Sequence, residues 1–324
     1  MDVILLNLVV FALGAAMIIR GGDWFVDAAS WIAEALHVPT FIIGATIVSV
    51  ATTLPEVLVS LLAASEGKVD MAIGNAVGSV TANTALIMAV AMLGMKIVCP
   101  RKEYGRQFCL LVAAAAALYV FCLGGELNVI GGTVMGLIFV AFLAQNVRNA
   151  KGREVVSAPQ AQEGNAYGDK DSGGKARVKY ALLFVVGAIG LAVGSQLLVR
   201  SGSTLAALFG VPERVIAVTL VAVGTSLPEL VTTVTAILKG QFSLSVGNIV
   251  GANIIDLSLI LPLSALISGK ALPVSGSLLT IDLPVCLGVT LLAAVPILLR
   301  EKASKVQGAA LLAAYAGYLA VVIL

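Results

Sequence analysis

Charge is scarce in this 324-residue chain: Asp, Glu, Lys and Arg make up 12% of it. Soluble domains carry about 25%, so a water-exposed globular surface is excluded. The 59% hydrophobic content and mean hydropathy of +1.04 point instead to an integral membrane protein, with apolar runs of about 20 residues as spanning helices. Histidine is nearly absent. The single one, His37, lies beside Val38-Pro39 at a helix boundary, which argues against a His-based metal site or catalytic triad. Cys99, Cys109, Cys122 and Cys286 are scattered without paired ligand spacing and read as small packing hydrophobes. No Ser-His, Cys-His or metalloprotease spacing occurs, so an intramembrane enzyme is not expected, and no cofactor is implied. The net charge of +2, without a basic cluster interleaved with aromatics, gives no nucleic-acid surface. The first apolar run, Val3 to Ile19, follows Asp2 rather than a basic region. It runs into Arg20-Gly21-Gly22-Asp23, so it reads as a retained helix and not a cleaved signal.

What the chain does contain is a duplication. Ala51-Thr52-Thr53-Leu54-Pro55-Glu56 returns as Gly224-Thr225-Ser226-Leu227-Pro228-Glu229. Gly74-Asn75-Ala76-Val77-Gly78-Ser79 with Asn83 returns as Gly247-Asn248-Ile249-Val250-Gly251-Ala252 with Asp256. One offset of 173 residues relates Pro39 to Pro212, Glu56 to Glu229 and Asn83 to Asp256 without a gap. A carboxylate inside a membrane segment is costly and marks function. Two at equivalent places suggest one shared cation site on a symmetry axis.

Ten spans are expected, at roughly 3–20, 39–65, 71–97, 105–123, 128–147, 178–199, 212–238, 243–268, 276–299 and 304–324. Segment 21–38 reads as an interfacial extension of the second helix, with 194–211 as its counterpart. Asn149 to Arg177 is hydrophilic and aperiodic, a flexible linker (149–177) between a first repeat (1–148) and a second (178–324). Five spans per half is odd, so the halves are inverted. The expected fold is an all-α integral membrane protein with ten transmembrane helices as two inverted five-helix repeats. All but Lys68, Arg200, Arg214 and Lys270 of the 20 basic residues fall in the loops after odd-numbered spans. The positive-inside rule makes those loops and the linker cytoplasmic and both termini external, in a cell (inner) membrane.

Proline lacks an N–H and clashes with the carbonyl four residues back, here Ala51 for Pro55 and Gly224 for Pro228. Freed carbonyls in hydrocarbon need a partner. A cation is one; Thr52, Thr53, Thr225 or Ser226 hydroxyls are another. The adjacent Glu in both repeats favours the cation, because no basic residue lies within the four central segments except near their ends. Asn75, Ser79 and Asn83 share one helix face at i, i+4, i+8, as do Asn248, Ala252 and Asp256. The glycines and the Asn75/Asn248 pair are assigned to helix packing and interhelical hydrogen bonds. Asn83 and Asp256 are assigned as ligands with Glu56 and Glu229. An all-oxygen set with three carboxylates suits a hard cation such as Ca²⁺, which takes about 6–8 oxygens, or Na⁺. Empty, such a set is costly to bury, which favours exchange over uniport. Asp282, before Pro284, reads as a helix cap or packing residue. Trp24 and Trp31 read as interfacial anchors.

The paired motifs resemble the α-repeats of the sodium/calcium exchanger family, within the cation/calcium antiporter superfamily, and the short linker resembles its prokaryotic branch. The resemblance covers both halves. It implies Glu56, Glu229, Asn83 and Asp256 around a central site and flanking cation positions from Thr52, Thr53, Ser79, Thr225 and Ser226. Backbone carbonyls near Ser49 and Ala222 would contribute. It also implies alternating access, with the first and sixth helices sliding against the core. This sequence departs from the family pattern at Ala252, which lacks a hydroxyl, and at Ala51, Thr53 and Val80. Asn83 opposite Asp256 resembles the potassium-independent pattern. The implied function is Na⁺/Ca²⁺ antiport, with Ca²⁺, Na⁺ and the bilayer as its partners. The alternative is H⁺/Ca²⁺ antiport on the same fold, against which Gly78 stands where that branch has Glu. A cation channel is a further alternative.

Overall fold

The hydrocarbon core offers no water to backbone N–H and C=O groups, so apolar runs must satisfy them within helices. The computed structural model describes residues 3–94, 98–151, 174–211 and 222–323. Nine described helices are long and apolar enough to span: α1 Val3–Leu36, α2 Thr40–Ser65, α3 Val69–Gly94, α4 Arg101–Cys122, α5 Val129–Lys151, α6 Gly174–Leu208, then, after α7, α8 Phe242–Ser268, α9 Leu278–Arg300 and α10 Lys305–Ile323. The shorter α7, Leu227–Leu238, follows a helical piece at Ala222–Thr225. Expected positions 95–97, 212–221 (with Pro212 and Arg214) and the linker stretch 152–173 lie outside the described residues. This is the all-α membrane fold that the pattern predicts. The two strands, β1 Glu126–Leu127 and β2 Leu272–Pro273, are a minimal antiparallel pair.

The chain divides into two compact units, Met1–Thr52 with Asn146–Asn248 and Thr53–Gln145 with Ile249–Leu324. In the first unit α1 and α6 lie against each other. A Cβ on Gly14 would stand 2.9 Å from the Gly194 carbonyl oxygen, and one on Gly187 2.8 Å from that of Gly21. The pairing runs in opposite directions along the two helices, so they are antiparallel. By the 173-residue offset, Gly14 matches Gly187 and Gly21 matches Gly194. The two contacts are therefore copies of each other, as inverted repeats require. Small residues let backbones approach closely, which drives association where lipid is as apolar as leucine. Phe25 meets Phe184 (ring centroids 4.6 Å) within a core of Ile18, Val26, Ala29 and Leu191.

One expectation fails here. Segment 21–38 extends the first helix, not the second: α1 runs unbroken through Arg20-Gly21-Gly22-Asp23, and α6 likewise runs to Leu208. Glycine costs a helix roughly 1 kcal/mol, but nothing in that tetrapeptide forbids helix. The packing of Gly21 and Gly22 against α6 and α7 offsets the cost. At about 1.5 Å per residue, α1 and α6 are far longer than the ~30 Å hydrocarbon core. The break comes instead at His37, in the left-handed region with φ 54°. Its N–H donates to the Glu34 carbonyl and that of Val38 to Ala33, a left-handed C-terminal cap. The second repeat makes the same cap with Gly210, φ 80°. Trp31 stacks on Tyr180 at 4.7 Å, so it packs between helices instead of standing alone as an anchor; Trp24 is exposed. Lys239, just past α7, donates to Asp27 Oδ1 at 2.8 Å and lies 3.4 Å from Asp23 Oδ1, tying α7 to α1. The symmetry mates of Lys239 and Asp27, Glu66 and Arg200 respectively, carry the opposite charges.

In the second unit α9 packs on α4 and α10 on α3. Pro296 inside α9 cannot donate to the Leu292 carbonyl. Gln307 of α10 supplies the missing donor, with Nε2 at 2.9 Å from Leu292 O and 2.7 Å from Ala293 O. Asp282 does not cap α9. Its backbone is helical and no side-chain cap bond forms. Its Oδ1 instead accepts the Tyr318 hydroxyl at 2.8 Å, which fits the packing role.

Candidate cation-binding site

Each unit carries one part of the expected constellation. In the first unit, Ser49, Thr52, Ser226 and Glu229 are buried and Thr225 is half-buried. Pro228 does not interrupt a continuous helix as expected. The chain turns at Ser226 (φ −87°, ψ 10°) and α7 starts immediately after it. Proline is at no disadvantage in a first turn, where its N–H would be unpaired anyway. Glu229 then lies in that first turn, where the helix N-terminus favours negative charge. Ala222 opens the short helical piece before the turn. Gly224 sits against α6, where a Cβ would meet Val199 Cγ2 at 2.2 Å. One helical turn beyond Glu229, Thr232 and Thr233 are fully buried; the motif did not single them out.

Thr52 Oγ1 lies 3.1 Å from Asn248 Oδ1 and 3.4 Å from the Ser49 carbonyl oxygen. It has one proton, and the shorter contact takes it. This bond links α2 to α8 at a close approach. A Cβ on Gly247 would stand 2.2 Å from the Phe41 carbonyl oxygen, and one on Gly44 2.4 Å from that of Leu244. The packing roles expected of Gly247 and Asn248 are thus seen directly.

In the second unit, Thr53, Glu56, Ser79, Asn83, Ala252 and Asp256 are all buried. Pro55 is interior to its helix, as expected. Asn75 Nδ2 donates to Ser60 Oγ at 2.9 Å and to the Glu56 carbonyl at 3.3 Å, so the half-buried Asn75 fixes the backbone of Glu56. Asn83 and Asp256 each begin a π-helical turn, Asn83–Ile87 in α3 and Asp256–Ile260 in α8. The two turns are 173 residues apart, so the duplication extends to a local helix defect. Such turns are frequent at functional sites. Beside them, Asn253 Nδ2 donates to Thr84 Oγ1 at 2.8 Å and bridges α3 to α8. Neither residue was expected. The clue was available, since Asn253 is the symmetry mate of Val80, where the sequence departs from the family pattern.

Ser79 Oγ, Asn83 Oδ1 and Ser226 Oγ are buried without a hydrogen-bond partner among the described residues. Buried oxygens lacking a donor are unfavourable in a packed protein and are what a dehydrated cation needs. Among the described residues no three of His, Cys, Asp and Glu cluster closely enough to hold an ion alone.

Comparison with known proteins agrees with this architecture. The sodium/calcium exchanger protein family matches residues 6–147 and 179–324, one segment per repeat. The sodium/calcium exchanger MaX1 of Methanosarcina acetivorans is 31% identical, over 98% of this chain and 99% of its own. The inner membrane protein YrbG of Escherichia coli is 32% identical over 82% and 81%. A solved structure of the sodium-calcium exchanger NCX_Mj, soaked with Na⁺ and Ca²⁺, superposes with a TM-score of 0.82, at 27% identity and 99% coverage of both chains. With both repeats matched and a full-length relative above 30% identity, this multi-pass membrane protein belongs to the sodium/calcium exchanger family, whose members exchange cations for Ca²⁺.

Proposed function

We propose that this protein is a secondary active antiporter that exchanges Na⁺ for Ca²⁺ by alternating access. The observation that carries the reading is the duplicated carboxylate motif, buried in both repeats and flanked by buried oxygens without a hydrogen-bond partner among the described residues. Glu56, Glu229, Asp256 and Asn83 are the principal ligands. Thr52, Thr53, Ser79, Thr225 and Ser226, with carbonyls near Ser49 and Ala222, take the flanking positions. Na⁺ and Ca²⁺ compete for the same oxygens, and the carboxylates stay compensated through the cycle because one cation replaces another. The chemistry is displacement without bond-making, so no catalytic residue is assigned.

The orientation belongs to the same reading: termini outside, residues 149–177 cytoplasmic, and repeats at 1–148 and 178–324 in the inner membrane. Glu56→Gln and Glu229→Gln should each abolish Ca²⁺ uptake into proteoliposomes while the purified variants stay monodisperse. Wild-type uptake by both would remove these carboxylates from the site.

A further inference from the structure

Outside the cation site, a groove of about 620 Å³ lies between α4, α5 and α9 in the second unit. Arg101 and Arg106 stand at its rim with Gln145, and Cys109, Leu110, Leu298 and Leu299 form its apolar wall. Arg101 is held in place. Its Nε donates to the Leu298 carbonyl at 2.7 Å and a second guanidinium nitrogen reaches the same oxygen, leaving its other N–H groups free to donate. Arg106 is exposed and makes no ion pair among the described residues. Among the described residues no carboxylate lines the groove. Gly105, between the two arginines, also lines the groove, and a Cβ there would stand 3.0 Å from Arg101 Cγ.

We propose that this groove binds an anionic glycerophospholipid. Its phosphate sits between Arg106 and Arg101, and an acyl chain lies along Leu110, Leu298 and Leu299. Two guanidinium groups without an ion-pair partner among the described residues offer a matched pair of donors to an anion. An apolar wall running from them into a spanning helix pair matches a lipid tail, not a soluble ion. Basic pockets between membrane helices are a recognised way to hold acidic headgroups, and the groove's volume is in the range of small-molecule sites, about 300–1,000 Å³. The site is independent of which ion drives transport.

Cys109 is a built-in reporter. It is exposed in the groove, whereas Cys99, Cys122 and Cys286 are buried. Burial, with Glu103 nearby, pushes the Cys99 thiol up to about 12, so it stays unreactive at neutral pH. The experiment is the rate of Cys109 alkylation by an uncharged maleimide on the full-length protein in detergent. Dioleoyl phosphatidylglycerol, dioleoyl phosphatidylcholine or inorganic phosphate is added in turn. Phosphatidylglycerol alone should slow labelling. Arg106→Gln should raise the lipid concentration needed by about fivefold, and Arg106→Lys should largely restore it. Equal protection by phosphatidylcholine, protection by phosphate alone, or unchanged protection in Arg106→Gln would each overturn the proposal.

Discussion

Gly247→Ala is the sharpest probe of how the repeat motif is used. The added Cβ would stand 2.2 Å from the Phe41 carbonyl oxygen and 2.9 Å from the Ala45 nitrogen. Both are backbone atoms of α2, so no side chain can swing away. Ordinary contact begins near 3.4 Å, so α2 and α8 must separate by about 1 Å here. Overpacking of this kind costs about 1–3 kcal/mol. The same separation stretches the Thr52–Asn248 bond, now 3.1 Å, and interhelical hydrogen bonds in membranes contribute about 0.6 kcal/mol on average. The expected loss is therefore about 2–4 kcal/mol, with weaker Ca²⁺ transport because Thr52 is a proposed flanking ligand. Gly288→Ala in α9 is the control. Nothing stands within 4 Å of its Cβ position, and alanine is the better helix former by up to about 1 kcal/mol. Stability is read by thermal unfolding in detergent. Equal stability of Gly247→Ala and Gly288→Ala would refute the close-approach argument.

Three further perturbations follow from the packing. Gln307→Leu removes the donor to the carbonyl freed by Pro296 and should destabilise by about 1–3 kcal/mol; adding Pro296→Ala should recover part of that loss in the same unfolding assay. In a double-mutant cycle, Asp27→Ala and Lys239→Ala should couple by about 0.2–1 kcal/mol at low salt, and the coupling should shrink at high salt; additive effects would show that the pair ties nothing. Ala252→Ser restores a hydroxyl beside the proposed site and should shift the Na⁺ concentration dependence of Ca²⁺ flux. An unchanged curve would remove position 252 from Na⁺ binding.

Much of this architecture could be read directly from residue pattern. The ten apolar runs and the 173-residue offset are written in composition and spacing, and most helix ends fall within four residues of expectation. The failures have physical causes. Arg20-Gly21-Gly22-Asp23 looks like a loop because glycine and charge together usually mark one. Packing against α6 and α7, both distant in sequence, makes continuation favourable. The π-helical turns at Asn83 and Asp256 leave no compositional trace, since they shift a hydrogen-bond register without requiring a special residue. Pro55 and Pro228 share the Leu-Pro-Glu context yet differ in structure. The turn at Ser226 places Pro228 in a first helical turn, whereas Ala51 to Glu56 stays helical throughout. The Asn253–Thr84 bridge needs two segments far apart in the chain. Symmetry could have suggested only its first half.

The central claim is that Ca²⁺ moves against Na⁺ through the paired carboxylates. The most direct test is radioactive Ca²⁺ uptake into proteoliposomes loaded with Na⁺ and diluted into Na⁺-free choline buffer. A pH gradient without Na⁺, and the Glu229→Gln variant, run in parallel. Uptake that requires internal Na⁺, ignores the pH gradient and vanishes in Glu229→Gln is the predicted result. Uptake driven by the pH gradient alone would contradict it and transfer the coupling to H⁺.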